Sequence, residues 1–368
     1  MIRRSWLFIL IVLFALGCGS GQQPPGRGEN PAGKVESGII VGLQGEAAMK
    51  RAGWRDYAPA MFGAAFRRGD LLRLTAGRAV VACADLRLAT VEAGVSGFPC
   101  QASQRPAIVF EGALLNPTRG DGAGDEFPRV ISPRKTRLLN PRPLFRWQPV
   151  AAAKSYKVRL QGASWTAEAA GDALAYPDNA PALQPGVAYR LVVTAGDRSS
   201  NEEEGSGLGF SIIPADEARA VRDAEARIRG LGLTETPTAL LIANVYATHG
   251  LYAEAIEGLE RLREAQEPAV LRLLGDLYLS VGLNRQAEER YLAALAGSAL
   301  AADLEGQAQA HHALGRIYDA LGDRAAARRS LTDALARYER LGDASQAAEV
   351  KRILSAVEGT QPDAPPKP

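Results

Sequence analysis

Three stretches of the C-terminal third repeat one spacing of small and aromatic residues. Ala243-x-x-Tyr246-x-x-x-Gly250-x-x-x-x-Ala255 returns as Leu274-Gly275-x-x-Tyr278-x-x-x-Gly282-x-x-x-x-Ala287. It returns again as Leu314-Gly315-x-x-Tyr318-x-x-x-Gly322-x-x-x-x-Ala327. Tyr246 and Tyr278 lie 32 positions apart, and Tyr278 and Tyr318 lie 40 apart. Each position has a physical role. The glycine beside leucine lets one helix approach its partner, and the tyrosine fills the groove between helices. The next glycine supplies a left-handed helix cap. The alanine permits a tight crossing, and a larger apolar residue follows four later (Leu259, Tyr291, Leu331). Units of this kind bury their apolar faces only by stacking.

This pattern resembles the tetratricopeptide repeat, whose usual period is about 34 residues. The first unit is slightly trimmed, and the second carries extra residues around Leu300 to Gln309. The helical region is expected over 214–358. It opens at Pro214-Ala215-Asp216-Glu217, where acidic residues suit a first turn, and closes with a capping helix over Ala344 to Ala356. A proline-rich tail covers 359–368. The resemblance implies a superhelix whose concave face binds a protein or peptide. Its lining residues are expected to be Asn244, Thr248, Arg272, Asp276, Leu279, His312, Arg316 and Asp319. This mixed set lacks the regular Lys/Asn pattern with which some relatives clamp a C-terminal carboxylate.

The front half reads as β structure in two pieces. Over 35–126, short apolar runs alternate with turn residues: Val41-x-x-x-Gly45, Arg68-Gly69-Asp70 followed by Leu71 and Leu72, and the Arg78-Ala79 strand. These resemble a FecR-type β-domain, a binding and signalling module. The family's aspartate-glycine turn is replaced here by Ala84-Asp85-Leu86. Arg68-Gly69-Asp70 reads as a tight turn rather than an adhesion tripeptide. Over 127–213, Pro143-x-Phe145-x-Trp147, Ser155-Tyr156 and Pro185-Gly186-x-x-Tyr189 resemble a fibronectin type III or Ig-like β-sandwich. Tyr156, Val158 and Leu160 alternate with Lys157 and Arg159, the pattern of a half-buried strand. Trp147 and Trp165 read as core residues. Arg129, Arg134, Lys135, Arg137, Arg142 and Arg146 form a basic run without an acidic residue. It reads as a solvated strand edge, with an anionic surface as the alternative.

The first 18 residues have the form of an export signal: Arg3 and Arg4, the apolar run Trp6 to Leu16, then Gly17-Cys18. The run is too short to span a bilayer, which takes about 20 apolar residues. Ala15-Leu16-Gly17-Cys18 resembles a bacterial lipobox, which implies acylation of Cys18 and membrane anchoring. Residues 19–34 read as a flexible tether. No Asp follows Cys18, which favours the outer membrane in a Gram-negative cell. Cys83 and Cys100 then remain as a pair that an oxidising compartment can join; two buried free thiols are the alternative.

The whole chain is therefore expected to be multidomain α and β: an N-terminal β-domain, a β-sandwich and a C-terminal α-solenoid. A net charge of +2 gives no field that draws nucleic acid. His311 and His312 point about 100° apart on a helix, so they do not share a metal. No zinc spacing, phosphate loop or nucleophile elbow is present, and no metal or other cofactor is expected. The expectation is a non-enzymatic, lipid-anchored envelope scaffold binding a protein through the groove. The alternatives are a FecR-like signalling regulator and an accessory for cell-wall or polysaccharide binding.

Overall fold

The computed structural model describes residues 37–101, 107–108, 127–151, 153–203, 208–262 and 267–359. Cys18, the expected signal and tether, and the tail beyond 359 lie outside them.

Among the described residues, six strands form the N-terminal sheet: β1 (Ser37–Gln44), β2 (Ala47–Lys50), β3 (Ala58–Pro59), β4 (Ala65–Arg67), β5 (Leu71–Cys83) and β6 (Leu88–Gly97). Their order is β3-β2-β5-β1-β4, and β6 also pairs with β5. The sequence divides β5 into two strands around Ala76-Gly77, but it is one bent strand. Leu71–Leu74 pairs with β2, and Arg78–Cys83 pairs with β1. Gly77 permits the bend: it has φ +80°, and a Cβ there would lie 2.0 Å from the Gln44 carbonyl oxygen. At Ala84-Asp85-Leu86 the turn forms without glycine. Leu86 takes φ 66° and is 2% exposed, so burial offsets a conformation that a bulky residue rarely adopts.

The second β region contains β7 (Arg129–Ser132), β8 (Thr136–Leu138), β9 (Leu144–Gln148), β10 (Tyr156–Gln161), β11 (Trp165–Ala169), β12 (Ala173–Ala175), β13 (Arg190–Ala195), β14 (Arg198–Ser199) and β15 (Phe210–Ile212). One sheet runs β11-β10-β13-β14, another β12-β9-β7, and β15 pairs parallel with β8. Phe145 and Trp147 share a core with Tyr156, Val158, Leu160, Leu191 and Val193. Along β10, Tyr156, Val158 and Leu160 are buried while Lys157 and Arg159 are exposed, as their alternation requires.

Eight helices follow among the described residues: α1 (Ala215–Arg229), α2 (Glu235–Thr248), α3 (Tyr252–Glu260), α4 (Pro268–Ser280), α5 (Asn284–Leu300), α6 (Leu304–Ala320), α7 (Arg324–Leu341) and α8 (Ala344–Gly359). The repeated motif spans the α2/α3, α4/α5 and α6/α7 hairpins. Its Tyr-to-Gly spacing is that of a Schellman cap. Gly250, Gly282 and Gly322 adopt positive φ, and the next residue's N–H reaches back to the carbonyl of Tyr246, Tyr278 or Tyr318. The tyrosine hydroxyls meet a carboxylate of the preceding helix: Tyr246 donates to Glu225, Tyr278 to Glu260 and Tyr318 to Glu288. A Cβ on Gly275 would meet the Tyr291 ring at 2.8 Å, and one on Gly315 would meet Leu331 Cγ at 2.6 Å. The extra residues of the second unit extend α5 to Leu300, and α6 starts at Leu304 under an Asp303 cap.

The sheet and the helices share apolar cores. Ile39, Val41, Ala82, Leu86 and Ile108 join Val221, Leu240, Leu274 and Ile317 in one cluster. Trp54 and Ala58 join Leu331, Tyr338, Leu341 and Val350 in another. The described residues form one compact unit.

Candidate functional site: the face where the helices meet the N-terminal sheet

The segment between β2 and β4 brings Arg51 and Trp54 onto the helical repeats. Arg51 is 6% exposed. Its Nε donates to Glu305 Oε1 (3.2 Å) and its Nη2 to Glu305 Oε2 (2.8 Å), while Nη1 meets Asp70 Oδ2 at 2.7 Å. Asp70 also accepts from the Ala52 and Arg67 amides at 3.1 and 2.9 Å. The Arg68-Gly69-Asp70 turn therefore has its carboxylate committed inside the protein. Trp54 Nε1 donates to Asp343 Oδ2 at 3.2 Å. Gly63, at φ +77°, lies so close to α4 that a Cβ would fall 2.2 Å from that of Ala269.

A cavity of about 220 Å³ remains at this junction. Of the eight residues expected on the concave face, Asn244, Arg272 and Asp276 line it. Arg272 Nη1 donates to Asp303 Oδ2 (3.1 Å) and Ser298 Oγ (3.2 Å). Asp276 Oδ1 accepts the Tyr291 hydroxyl at 2.5 Å. Burial pushes the Asp276 carboxyl up to about 6, against the Tyr291 hydrogen bond and the Arg272 charge. The other five are placed elsewhere. Leu279 is 2% exposed inside the shared apolar core. His312 is 1% exposed, with its ring edge-on to Tyr338 at 6.2 Å and, among the described residues, no hydrogen-bond partner for either ring nitrogen. Burial, with the Arg316 charge, lowers its pKa to about 4. Thr248 and Asp319 are exposed, Arg316 is half-buried, and none of the three lines the cavity. Sequence spacing gave no reason to select Arg51, Trp54, Asp303, Glu305, Tyr291 or Tyr338. Trp54 offered one clue, as a tryptophan in a polar loop with no alternating strand to bury it.

The basic run over Arg129 to Arg146 is not a solvated strand edge. Arg129 and Arg134 are 6% and 2% exposed. Arg134 makes a two-point pair with Glu203 (3.1 and 2.8 Å), and its Nε donates to the Val281 carbonyl at 2.8 Å. Arg137 makes a two-point pair with Glu217 (2.7 and 2.5 Å) and reaches the His249 carbonyl at 3.2 Å. His249 Nδ1 lies 2.9 Å from Glu217 Oε1. The Arg137 hydrogen bond holds the Glu217 carboxyl down at about 2. The run joins the second β region to the helices, and its counter-ions come from outside the run. Trp147 is 2% exposed in the core, and half-buried Trp165 packs on Phe145 and Tyr176.

Cys83 and Cys100 are joined by a disulfide, with Cα atoms 5.6 Å apart. Among the described residues, no group of three His, Cys, Asp or Glu is placed to hold a metal ion.

No protein-family model matches the chain, and no curated protein matches it. Among solved structures, BtubC (BKLC) from P. vanneervenii is 24% identical with a TM-score of 0.32, over 40% of this chain and 65% of that one. The chain thus spans just under two thirds of the BtubC length. Two MamA structures are 19% and 17% identical, each with a TM-score of 0.29. They cover 39% and 41% of this chain and 89% and 90% of theirs.

Proposed function

We propose that this chain is a lipid-anchored envelope scaffold whose helical repeats, of the tetratricopeptide kind, hold protein segments on their concave face. One observation supports this reading: the helices already hold a segment of the chain itself. Arg51 is anchored on Glu305, and Trp54 on Asp343 and the α6–α8 core. A buried two-point ion pair beside an aromatic anchor is the kind of contact that concentrates binding energy in protein interfaces. On this reading, the FecR-like sheet and the fibronectin-like sandwich ride on the repeats as a single body, and acylated Cys18 fixes that body to a membrane. The Cys83–Cys100 disulfide supports an oxidising compartment. The reading is of binding rather than catalysis. His249 is engaged by Glu217 and His312 is enclosed, so neither imidazole is offered to a substrate.

The test compares two baits in envelope extract: the mature chain from Gly19 and its Arg51→Ala/Trp54→Ala variant. A partner that uses the concave face is recovered several-fold better by the variant, which weakens the segment already there. Equal recovery would move the function to the outer faces of the β regions. Membrane anchoring is checked by fractionating a Cys18→Ser form, which should leave the membrane fraction.

A further inference from the structure

The cavity between the sheet and the helices carries an uneven charge inventory. Asp276, Asp303, Glu305 and Asp343 face it, against Arg51, Arg67 and Arg272. Arg51 is already shared between Asp70 and Glu305, and Arg272 is bound to Asp303. Asp343 accepts from the Trp54 indole and from the Gln346 amide. Asp276 is different. Its one hydrogen bond comes from the neutral Tyr291 hydroxyl on Oδ1. Among the described residues, its Oδ2 receives no hydrogen bond and Asp276 forms no ion pair.

Two other acceptors remain unspent along the same cavity. Asn244 commits its amide nitrogen to the Leu240 carbonyl at 2.8 Å, which leaves its side-chain oxygen. It occupies the position in its repeat that Asp276 occupies in the next, two residues before the motif tyrosine. Tyr338 is 3% exposed, lines the cavity and has no hydrogen-bond partner for its hydroxyl among the described residues. Apolar wall comes from Ile39, Leu240 and Leu273. A partly buried carboxylate with no ion pair among the described residues, flanked by acceptors and apolar wall, complements a positive donor on a compact carbon skeleton.

We propose that this cavity binds a small organic amine, whose ammonium group donates to Asp276 Oδ2 and whose carbon skeleton lies against Leu240 and Leu273. The site goes beyond the scaffold reading and does not depend on which protein the repeats hold. The ligand's charge replaces the water that an unpaired carboxylate would otherwise require. Burial raises the Asp276 carboxyl to about 6 in the free protein, so binding strengthens as pH rises through that value. The charged and titratable groups that line the cavity with Asp276 are Arg272 on its own helix, Tyr291 from α5, Asp303 and Glu305 at the start of α6, Tyr338 from α7, Asp343 between α7 and α8, and Arg51 and Arg67 from the region of the sheet. Burial raises both tyrosines, away from pH 6.

Calorimetric titration of the mature chain with cyclohexylamine, cyclohexanol and cyclohexanecarboxylate tests the proposal. The amine should bind with Kd of about 1 mM or tighter, and the alcohol and the acid at least tenfold more weakly. Asp276→Asn should weaken the amine at least tenfold, and Asn244→Ala, at a half-exposed position, several-fold. In the wild type, the affinity should fall as pH drops below about 6. Absence of amine binding, preference for the carboxylate, or an affinity that neither variant changes would each overturn the assignment.

Discussion

Arg51 and Glu305 stand 254 residues apart in sequence and meet in a two-point ion pair, at 3.2 and 2.8 Å, inside the junction of sheet and helices. Arg51 is enclosed, and its charge is stabilised there by Asp70 and Glu305, which both face it. Removing one member of a buried pair leaves the other uncompensated, at about 3–5 kcal/mol. Arg51→Ala should therefore destabilise the protein by about 3 kcal/mol in urea unfolding. It should also make the junction cleavable under limited proteolysis. An effect below about 1 kcal/mol would mean that the pair is solvated and does not hold the sheet on the repeats.

Two helical glycines give opposite expectations for the same substitution. Alanine is favoured over glycine in a helix interior by about 1 kcal/mol. At Gly258 in α3, a new Cβ meets nothing within 4 Å, so Gly258→Ala should stabilise by up to that amount. At Gly275, the new Cβ would stand 2.8 Å from the Tyr291 ring, which is itself fully enclosed and bonded to Asp276. Overpacking of this kind costs about 1–3 kcal/mol, so Gly275→Ala should be a net destabilisation. Thermal melts of both variants decide it. A stabilising Gly275→Ala would show that the α4–α5 crossing is looser than the contact implies.

Buried ionisable groups make stability depend on pH in opposed directions. His312 has a folded pKa of about 4, below its ordinary 6.5. The unfolded chain thus takes up its proton first, and the contribution is complete above pH 6.5 and lost as pH falls toward 4. Glu217 is held at about 2, so its contribution is present above its ordinary 4.5 and lost as pH falls from there to 2. Asp276 is raised to about 6 from 3.8, so it opposes folding increasingly as pH rises through that window. His312→Leu should flatten the stability profile between pH 6.5 and 4. Asp276→Asn should instead raise relative stability above pH 6. An NMR titration that places the His312 imidazole near 6.5 would contradict the first of these.

The repeat period was legible because each motif position answers to local geometry. A Schellman cap fixes tyrosine and glycine four apart, and a close crossing requires Gly275 opposite Tyr291 and Gly315 opposite Leu331. The alternation of β10 was legible for the same reason. The bent β5 was not, because Leu71-Leu72 and Arg78-Ala79 read as separate strands until two different partner strands are seen to claim the halves of one. The site was only partly legible. Asn244, Arg272 and Asp276 follow from helical phase, whereas Arg51 and Trp54 reach the same face from a loop nearly two hundred residues earlier. Leu279 and His312 were assigned to the open face by phase alone, and burial places both in the interior. The basic run misled because its acidic partners Glu203, Glu217 and Glu260 lie far along the chain.

That run supplies a contrast between buried and exposed pairs within 20 residues. Glu203 is 8% exposed and faces two enclosed guanidiniums, with Arg134 at 2.8 Å and Arg129 Nε at 3.8 Å. Glu203→Gln keeps the shape but removes the charge that pairs with the enclosed Arg134, a change of about 3–5 kcal/mol. Arg134 also carries the Val281 carbonyl at the end of α4, so its displacement should loosen the joint between the second β region and the helices. Arg146 meets Glu260 at 3.5 Å, with half its side chain in solvent. Screening and side-chain entropy reduce such a pair to about 0–1 kcal/mol, so Arg146→Ala should be nearly silent. Urea unfolding of both variants, with amide exchange followed around Val281, separates the two cases. A Glu203→Gln protein as stable as the Arg146→Ala one would mean that water reaches the Arg129 and Arg134 guanidiniums and that the joint is held by its apolar contacts.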